Sequence, residues 1–245
     1  MKIAILGTGF IGKTLVRKLS AAGHTITFAN SRGPETLQDL AQETGATALT
    51  AAEAVQGADA IITSIPFGKS ASLKEILSEV PADVPVIDTS NYYPQRDGHI
   101  PAVDNGQVES AWVQEQFGHS IVKAWNNVLA GALEDKGLPP GAEGRTALSV
   151  GGDDARAKKV AMDLVETTGF DAIDGGTLEE SWRQQPGTPG YCVEFQADAL
   201  KHALASAIRE EAPRRRDLAM KQLEEMGGDF ATADILRVNR STYAV

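Results

Sequence analysis

The chain alternates between short unbroken apolar runs and longer segments whose apolar residues recur every three or four positions. Such a run is typical of a strand buried on both faces of a parallel sheet, and the recurring pattern is typical of an amphipathic helix. The runs predict strands at residues 2–6, 25–29, 47–49, 58–65, 84–88, 120–125, 146–150 and 170–174. The recurring pattern predicts a first helix that begins after residue 9. It predicts further helices at residues 36–44, 51–55, 73–80, 108–117 and 154–168.

The remaining segments are polar loops or lie in a helical C-terminal part. Residues 94–106 and 138–144 are rich in Pro and Gly and are predicted to be loops. Beyond residue 178 the pattern is mostly helical, broken at residues 186–190, with helices predicted at 193–211 and 215–226. We therefore expect a domain over residues 1–180 and a helical extension over residues 181–245, which is a candidate dimerisation element.

Three glycines follow the first apolar run directly, in the order Gly7-Thr8-Gly9-Phe10-Ile11-Gly12. In a dinucleotide-binding turn the first glycine permits the tight turn, the second lets the backbone approach a pyrophosphate, and the third lets the helix pack against the strand. The N–H groups at the start of the helix then face the phosphates. A strand before the motif and a helix after it are the required context. The motif predicts a Rossmann-type, doubly wound, mostly parallel α/β fold with a cofactor site at residues 7–12.

Asn30, Ser31 and Arg32 end the second predicted strand. A site that prefers NAD usually has Asp or Glu here, because a carboxylate accepts hydrogen bonds from the adenosine ribose. This chain offers an amide, a hydroxyl and a guanidinium, and a guanidinium can hold a 2′-phosphate that a carboxylate would repel. The three residues predict NADP(H) as the cofactor. A second interpretation is that Asn30 and Ser31 cap a helix that starts near Pro34.

Further candidate residues lie where later strands end, because ligands of doubly wound sheets bind outside the carboxyl ends of the strands. Ser64, Ile65 and Pro66 follow the fourth strand and are predicted to contact the ribose and nicotinamide half of the cofactor. Asn91 and Asn126 follow the next two strands, and each amide offers both a donor and an acceptor. They are our candidates for holding the nicotinamide carboxamide or the acceptor ring, and turn capping is the alternative.

Composition narrows the function classes. With 245 residues, 42% hydrophobic and 23% charged, the chain is typical of a globular protein. Its formal net charge of −10 argues against nucleic acid or an anionic membrane as the main partner. A single cysteine, Cys192, excludes an internal disulfide, and no apolar run approaches a membrane span. We expect a cytoplasmic protein that acts on a small-molecule substrate, with a homodimer as its oligomeric state and no bound metal.

These residues together resemble the NADP oxidoreductases of the coenzyme F-420-dependent type. The resemblance covers about residues 1–181 and includes the glycine motif, Asn30-Ser31-Arg32, Asp88-Thr89-Ser90-Asn91, Lys123-Ala124-Trp125-Asn126 and Gly151-Gly152-Asp153-Asp154. It implies hydride transfer between NADP(H) and an 8-hydroxy-5-deazaflavin, or to a flavin such as FMN or FAD. The NADPH domain of the six-transmembrane metalloreductases is similar. Within the same motif set we count Lys123 and Ala124 among the cofactor-binding residues.

Hydride transfer between two rings requires orientation more than acid–base chemistry, because the cofactors carry the reactivity. The sequence fits, since we find no Ser-His-Asp or Tyr-x-x-x-Lys pattern and expect the four histidines to be exposed. Trp125 and Trp182 could line an acceptor pocket or belong to the core, and Cys192 is expected to be a buried apolar residue. Two alternatives stay open: an NADPH-dependent reductase of a small carbonyl or imine, and a non-enzymatic NADP(H) sensor.

Overall fold

A computed structural model of the chain describes residues 1–227 and 231–243. Residues 228–230 and 244–245, which belong to the predicted helical extension, lie outside the described residues. In the described part no helix is long and apolar enough to cross a membrane.

An eight-stranded sheet forms the centre of the described structure, in the order β3-β2-β1-β4-β5-β6-β7-β8. Its strands are β1 (Lys2–Leu6), β2 (Thr25–Ala29), β3 (Thr47–Ala48), β4 (Ala60–Thr63), β5 (Val86–Asp88), β6 (Ile121–Lys123), β7 (Ala147–Gly152) and β8 (Asp171–Asp174). Neighbouring strands are parallel except β6 and β7, which pair antiparallel. The predicted doubly wound, mostly parallel Rossmann-type sheet is thereby confirmed.

Helices flank the sheet and continue into the C-terminal part. The α-helices are α1 (Phe10–Ala21), α2 (Gln38–Thr44), α3 (Ala51–Ala54), α4 (Lys74–Ser78), α5 (Pro94–Asp97), α6 (Pro101–Asp104), α7 (Glu109–Phe117), α8 (Ala130–Asp135), α9 (Ala155–Thr167), α10 (Ala197–Ala205), α11 (Ala212–Glu225) and α12 (Thr232–Tyr243). Short 3-10 helices occupy Pro34–Leu37, Phe67–Leu73, Glu179–Gln184 and Arg209–Glu211.

Side chains of β1 divide between two hydrophobic cores, one on each face of the sheet. Ile3 and Ile5 pack with α1, α8 and α9, whereas Ala4 and Leu6 pack with the 3-10 helix Phe67–Leu73 and with α7 on the other face. Successive side chains of a strand point to opposite faces, and both faces of a parallel sheet are covered by helices. This is why the strand sequence is apolar without alternation.

The predicted loop at residues 94–106 is wrong, because it contains α5 and α6. Each helix begins with a proline, which suits the first helical position since its missing N–H has no partner there. The buried ring of Tyr92 closes the segment: its hydroxyl accepts a hydrogen bond from the Ile100 N–H (3.0 Å) and bonds Asp104 Oδ1 (2.8 Å). Pro94 and Pro101 therefore start helices instead of marking a loop.

Two other predictions differ from the structure. The helix expected over residues 193–211 is shorter, since only Ala197–Ala205 is α-helical there and Ile208 is exposed. Gly151 and Gly152, predicted to form a turn, end β7 instead. A Cβ on Gly152 would lie 3.1 Å from Val122 Cγ2 of the neighbouring strand, so the antiparallel pair leaves little space for a larger residue.

His119 is also an exception, because it is buried where we expected exposed histidines. Its ring nitrogens lie 2.9 Å from the Ser120 carbonyl oxygen and 3.3 Å from the Pro81 carbonyl oxygen. His99 and His202 are exposed, and His24 is half-buried.

Cys192 lies between the segment that follows β6 and the helices α11 and α12. It packs with Tyr191, with α11 and with α12, so its predicted burial is confirmed. Its N–H donates to the Asn127 carbonyl oxygen (3.2 Å), and its backbone has a φ of +51°, a conformation that is rare for a residue with a Cβ. Burial raises the pKa of its thiol well above the ordinary range.

Candidate functional site

The turn between β1 and α1 has the geometry that its glycines predict. Gly7 has a φ of +105°, and a Cβ there would lie 2.1 Å from the Ser64 carbonyl oxygen. A Cβ on Gly12 would lie 2.0 Å from the Gly7 carbonyl oxygen, so α1 packs directly on the turn. At Gly9, the residue that precedes α1, a Cβ would meet no atom within 4 Å. The turn is therefore closed on the protein side and open at Gly9.

A cleft of about 750 Å³ opens beside this turn, above the end of β1. Its walls come from the segments after β2 and β4, the two strands that flank β1. Nine of its lining residues were predicted to bind the cofactor: Gly7, Thr8, Gly9, Asn30, Ser31, Arg32, Ser64, Ile65 and Pro66. The others are Leu6, Ala29, Ala51, Lys69, Ser72, Leu73 and Ile76. No lining residue in the described part of the chain is acidic.

Asn30 shapes the end of β2 through its side chain. Its Oδ1 accepts a hydrogen bond from the Arg32 N–H (2.8 Å), and its Nδ2 donates to Thr36 Oγ1 (3.0 Å). The capping interpretation is wrong, because Gly33 precedes the 3-10 helix Pro34–Leu37 and no side chain in the described part of the chain caps it; Asn30 orders the turn before that helix instead. Ser31 and Arg32 are exposed at the cleft, and among the described residues the Arg32 guanidinium has no hydrogen-bond partner and no carboxylate within 4 Å.

Three residues of the glycine motif do not line the cleft. Phe10 is 73% exposed, and the Lys13 ammonium lies 4.7 Å from its ring centroid. Ile11 packs against the core, and Gly12 is buried. The side chains of Phe10 and Ile11 thus lie outside the cleft wall, and a contact of these two residues with the cofactor stays a prediction. Their backbone N–H groups belong to the first turn of α1, which contains no acidic side chain.

Lys123 differs most from its predicted role. Its side chain is completely buried, and its ammonium donates to Asp88 Oδ2 (2.6 Å) and to the Ser90 carbonyl oxygen. Ala124 is also fully buried. Neither side chain offers a surface to a cofactor, so the structure does not support the predicted binding role of either residue. Lys123 instead holds the segment that follows β5.

The segment after β5, which carries Asn91, is fixed by charged side chains at every step. The pairs are Ser90 O with Lys123 Nζ, Asn91 O with Arg96 Nη2 (2.6 Å), Tyr92 N with Glu109 Oε2 (3.1 Å), and Tyr93 N with Asp97 Oδ2 (3.0 Å). Hydrogen bonds to ionised groups are stronger than neutral ones. The position of the half-buried Asn91 is therefore set before any ligand binds.

Asn126 supports Asn91 from the neighbouring strand end. Its Nδ2 donates to Asn91 Oδ1 (3.0 Å) and to the Gln184 carbonyl oxygen (2.8 Å), and its Oδ1 accepts from Gln184 Nε2 (2.8 Å). Asn91 Nδ2 in turn donates to the Asn126 carbonyl oxygen (2.8 Å). Asn126 is buried and its amide is committed to protein partners, so its contact with a ligand stays a prediction that these bonds do not support.

The sequence patterns did not indicate three residues of this region: Glu109, Gln184 and Lys69. Glu109 is buried at the start of α7, and burial raises the pKa of its carboxyl from 4.5 to about 7, while the nearby Lys123 ammonium opposes the shift. An acidic residue at a helix start carries no signal that it is buried, and Gln184 lies 58 positions from Asn126. Lys69 follows Pro66 closely and could have been noticed as a cation beside a predicted strand end.

The aromatic candidates belong to the interior. Trp125 is buried, has a φ of +55°, and donates from Nε1 to Thr168 Oγ1 (3.1 Å). Trp182 is also buried, with the Arg183 guanidinium 4.5 Å from its ring centroid. Of the two interpretations, the core role fits Trp125, which packs in a hydrophobic core, whereas Trp182 lines a small cavity of about 60 Å³. Among the described residues no group of three or more His, Cys, Asp or Glu side chains is placed to hold a metal ion.

Comparison with known proteins matches the chain to one family. The family model described as NADP oxidoreductase coenzyme F420-dependent matches residues 2–92. Protein YjhV of Escherichia coli (strain K12) is 39% identical over 104 residues, which are 42% of this chain and 76% of YjhV. The family match covers the glycine motif, the Arg32 segment, the wall after β4 and Asn91.

Solved structures agree with this family. The hypothetical protein SMa0349 from Sinorhizobium meliloti is 29% identical with a TM-score of 0.62, covering 74% of this chain and 87% of that chain. A protein from Arthrobacter sp. FB24, which is named as a candidate F420-dependent NADP reductase, is 26% identical with a TM-score of 0.59. The match covers 73% of this chain and 86% of that chain. The chain belongs to the family of coenzyme F420-dependent NADP oxidoreductases, and it is an NADP-dependent oxidoreductase.

Proposed function

We propose that this protein transfers a hydride between NADP(H) and a flavin-type ring, with an 8-hydroxy-5-deazaflavin such as coenzyme F-420, FMN or FAD as the acceptor class. The observation that carries the proposal is the cleft at the turn between β1 and α1, which contains no acidic residue in the described chain and places the free Arg32 at its rim. The acceptor class is supported by the family alone.

The cleft suggests how the dinucleotide would lie. The open space at Gly9 and the N–H groups of the first turn of α1 suit the pyrophosphate, because the positive end of a helix attracts anions. Ser31 and Arg32 suit the 2′-phosphate. Leu73 and Ile76 offer apolar surface to the adenine ring.

The nicotinamide half would then extend toward the ends of β4 and β5, past Pro66 and toward Asn91. The Asn91 amide bonds Asn126 through one N–H and keeps a second N–H for a ligand carbonyl. Hydride transfer needs donor and acceptor carbons held at about 3–3.5 Å in a fixed orientation. An amide that Asn126 holds, on a backbone fixed by charged side chains, suits that task.

The test is oxidation of NADPH, followed at the absorbance band of the reduced nicotinamide, with FMN, FAD, coenzyme F-420 and ferric chelates offered in turn. We expect turnover with a flavin or deazaflavin and a loss of at least about tenfold in kcat/KM for NADPH in Arg32→Ala. Arg156→Ala, an exposed arginine on α9, is the matched control.

Two outcomes would contradict the proposal. NADPH binding without turnover on any flavin or deazaflavin would favour the carbonyl or imine reductase, or the sensor. Equal use of NADH and NADPH by the unmodified protein would remove the role given to Arg32.

A further inference from the structure

A second cation lines the same cleft from its other side. Lys69 lies in the 3-10 helix Phe67–Leu73, which follows β4, whereas Arg32 follows β2. Since β2 and β4 pair with opposite edges of β1, the two cations flank the end of β1 from opposite directions. Both side chains are exposed at the cleft.

The 3-10 helix that carries Lys69 is firmly attached to the core. The completely buried Phe67 ring stacks on Trp112, with ring centroids 4.7 Å apart. The Gly68 N–H donates to Asp97 Oδ1 (3.2 Å), and Ser70 Oγ donates to the Phe67 carbonyl oxygen (2.7 Å). The Lys69 backbone is therefore held in place, and only its flexible side chain remains free to adapt to a ligand.

The charge around these two cations is unusual for this chain. The sequence has 33 acidic and 23 basic residues, yet in the described part neither Arg32 nor Lys69 has a carboxylate within 4 Å. Among the described residues most exposed cations do have one, as Lys159 does with Asp163 at 2.7 Å. Two cations that share an acid-free cleft in an acidic protein point to an anionic ligand between them.

We infer that Lys69 is a second recognition residue for the adenosine 2′-phosphate of NADP(H), contacting it from the side opposite Arg32. The inference rests on the proposed function. A phosphate monoester carries close to two negative charges at neutral pH, so one guanidinium neutralises about half of it. Lys69 supplies the second charge as a compact ammonium on a long stem, which suits a phosphate reached across an open cleft.

This role predicts selective weakening of ligands that carry the 2′-phosphate. In Lys69→Ala we expect NADPH and adenosine 2′,5′-bisphosphate to bind roughly tenfold more weakly, the effect of losing one charged contact at an exposed site. NADH and 5′-AMP, which lack the 2′-phosphate, should change less than about twofold. Lys69→Arg should retain most of the preference for NADPH.

Isothermal titration of the full chain with these four ligands measures the effect. Lys74→Ala is the matched control, because Lys74 is exposed five positions further on and does not line the cleft. Arg32→Ala and the double variant complete a double-mutant cycle. In each of the two single variants, the ratio of NADPH affinity to NADH affinity should fall. Circular dichroism establishes that each variant is folded.

The outcomes separate this inference from the proposed function. Equal weakening of NADPH and NADH in Lys69→Ala would overturn it, because Lys69 would then contact the shared pyrophosphate. No weakening of either would also overturn it. If the unmodified protein and Arg32→Ala both bind NADPH no more tightly than NADH, the cofactor proposal fails by itself, whatever Lys69 does.

Discussion

At the scale of single residues, the adjacent asparagines Asn126 and Asn127 differ in the hydrogen bonds that their side chains make. Both are buried, at 2% and 4% exposure. Asn126 uses its donor and acceptor atoms in three hydrogen bonds, whereas among the described residues neither polar atom of the Asn127 side chain has a partner. Breaking one side of a buried hydrogen bond costs more than replacing an unpaired polar group by an apolar one.

Leucine at each position, which has a similar size, should therefore have opposite effects. We expect Asn126→Leu to lower the free energy of unfolding by roughly 2–4 kcal/mol, because it leaves the Gln184 and Asn91 amides without their partner. Asn127→Leu should stay within about 1 kcal/mol of the unmodified protein or stabilise it. Urea denaturation measures both, and equal losses in the two variants would contradict this account.

These residues also show how far the sequence could predict the site. The roles of three glycines were predictable because each follows from the strand-turn-helix motif itself. Gly7 permits the turn, Gly9 leaves space for a ligand, and Gly12 lets α1 pack closely on the turn. The protein partners of Lys123 and Asn126 were not predictable because they come from other elements. Polarity at a strand end indicates that a side chain will find a partner there, but it does not indicate whether that partner is a ligand or the protein.

At the scale of elements, the segment after β5 is held by two buried ionisable side chains, one basic and one acidic. Lys123, at the end of β6, bonds Asp88 and the Ser90 carbonyl, and Glu109, at the start of α7, accepts from the Tyr92 N–H. The charged groups that face Glu109 are Lys123, Arg216 on α11 and Asp88. Burial nevertheless dominates and raises the pKa of the Glu109 carboxyl to about 7.

This pKa predicts a pH dependence of stability. In the unfolded chain the carboxyl ionises near its ordinary pKa of 4.5, whereas the folded protein retains the proton until about pH 7. The contribution of Glu109 to the free energy of unfolding therefore falls as the pH rises from 4.5 to about 7, and it is constant at higher pH. The glutamine side chain of the Glu109→Gln variant has no carboxyl to titrate. As the pH rises over this range, we therefore expect the free energy of unfolding of Glu109→Gln to gain up to roughly 3 kcal/mol on that of the unmodified protein.

Urea denaturation at several pH values between 4.5 and 8 measures this difference. Glu115→Gln, on the exposed side of the same helix, is the control for general effects of removing a carboxylate. A difference between Glu109→Gln and the unmodified protein that is the same at every pH would refute the raised pKa.

Element predictions succeeded where one physical cause dominates. Burial on both faces makes each parallel strand apolar, so all eight strands could be recognised in order. The helices α5 and α6 could not, because four-residue helices show no periodicity and their stability depends on Tyr92 and Asp104. The segment at 193–211 has a continuous apolar stripe, but the structure ends α10 at Ala205.

At the scale of the whole molecule, the predicted extension over residues 181–245 contributes to the interior next to the site. Gln184 completes the bonds of Asn126, and the Tyr191 hydroxyl lies 2.9 Å from the Tyr93 hydroxyl. The Ala147 N–H of β7 donates to the Phe195 carbonyl oxygen (2.8 Å). We propose that residues 1–180 depend on this segment, although the sequence suggested a self-contained domain.

Removing residues 181–245 should consequently damage the site as well as the helices. We expect a chain that ends at residue 180 to melt at least about 10 °C lower than the full chain, or to aggregate, because buried polar groups lose their partners. A chain that ends at residue 196 keeps Gln184, Tyr191 and Phe195 and should recover part of the loss. Calorimetry compares the three, and full stability of the shortest chain would support an independent domain.

The position of Cys192 has a consequence for experiments. It is the single cysteine of the chain, its thiol is buried at the junction of α11 and α12 with the segment after β6, and its pKa is raised. A thiolate is the form that reacts with alkylating reagents, so the folded protein is protected both sterically and chemically. The rate of labelling at this one atom therefore reports how often the junction opens, and the native sequence provides that reporter without an introduced label.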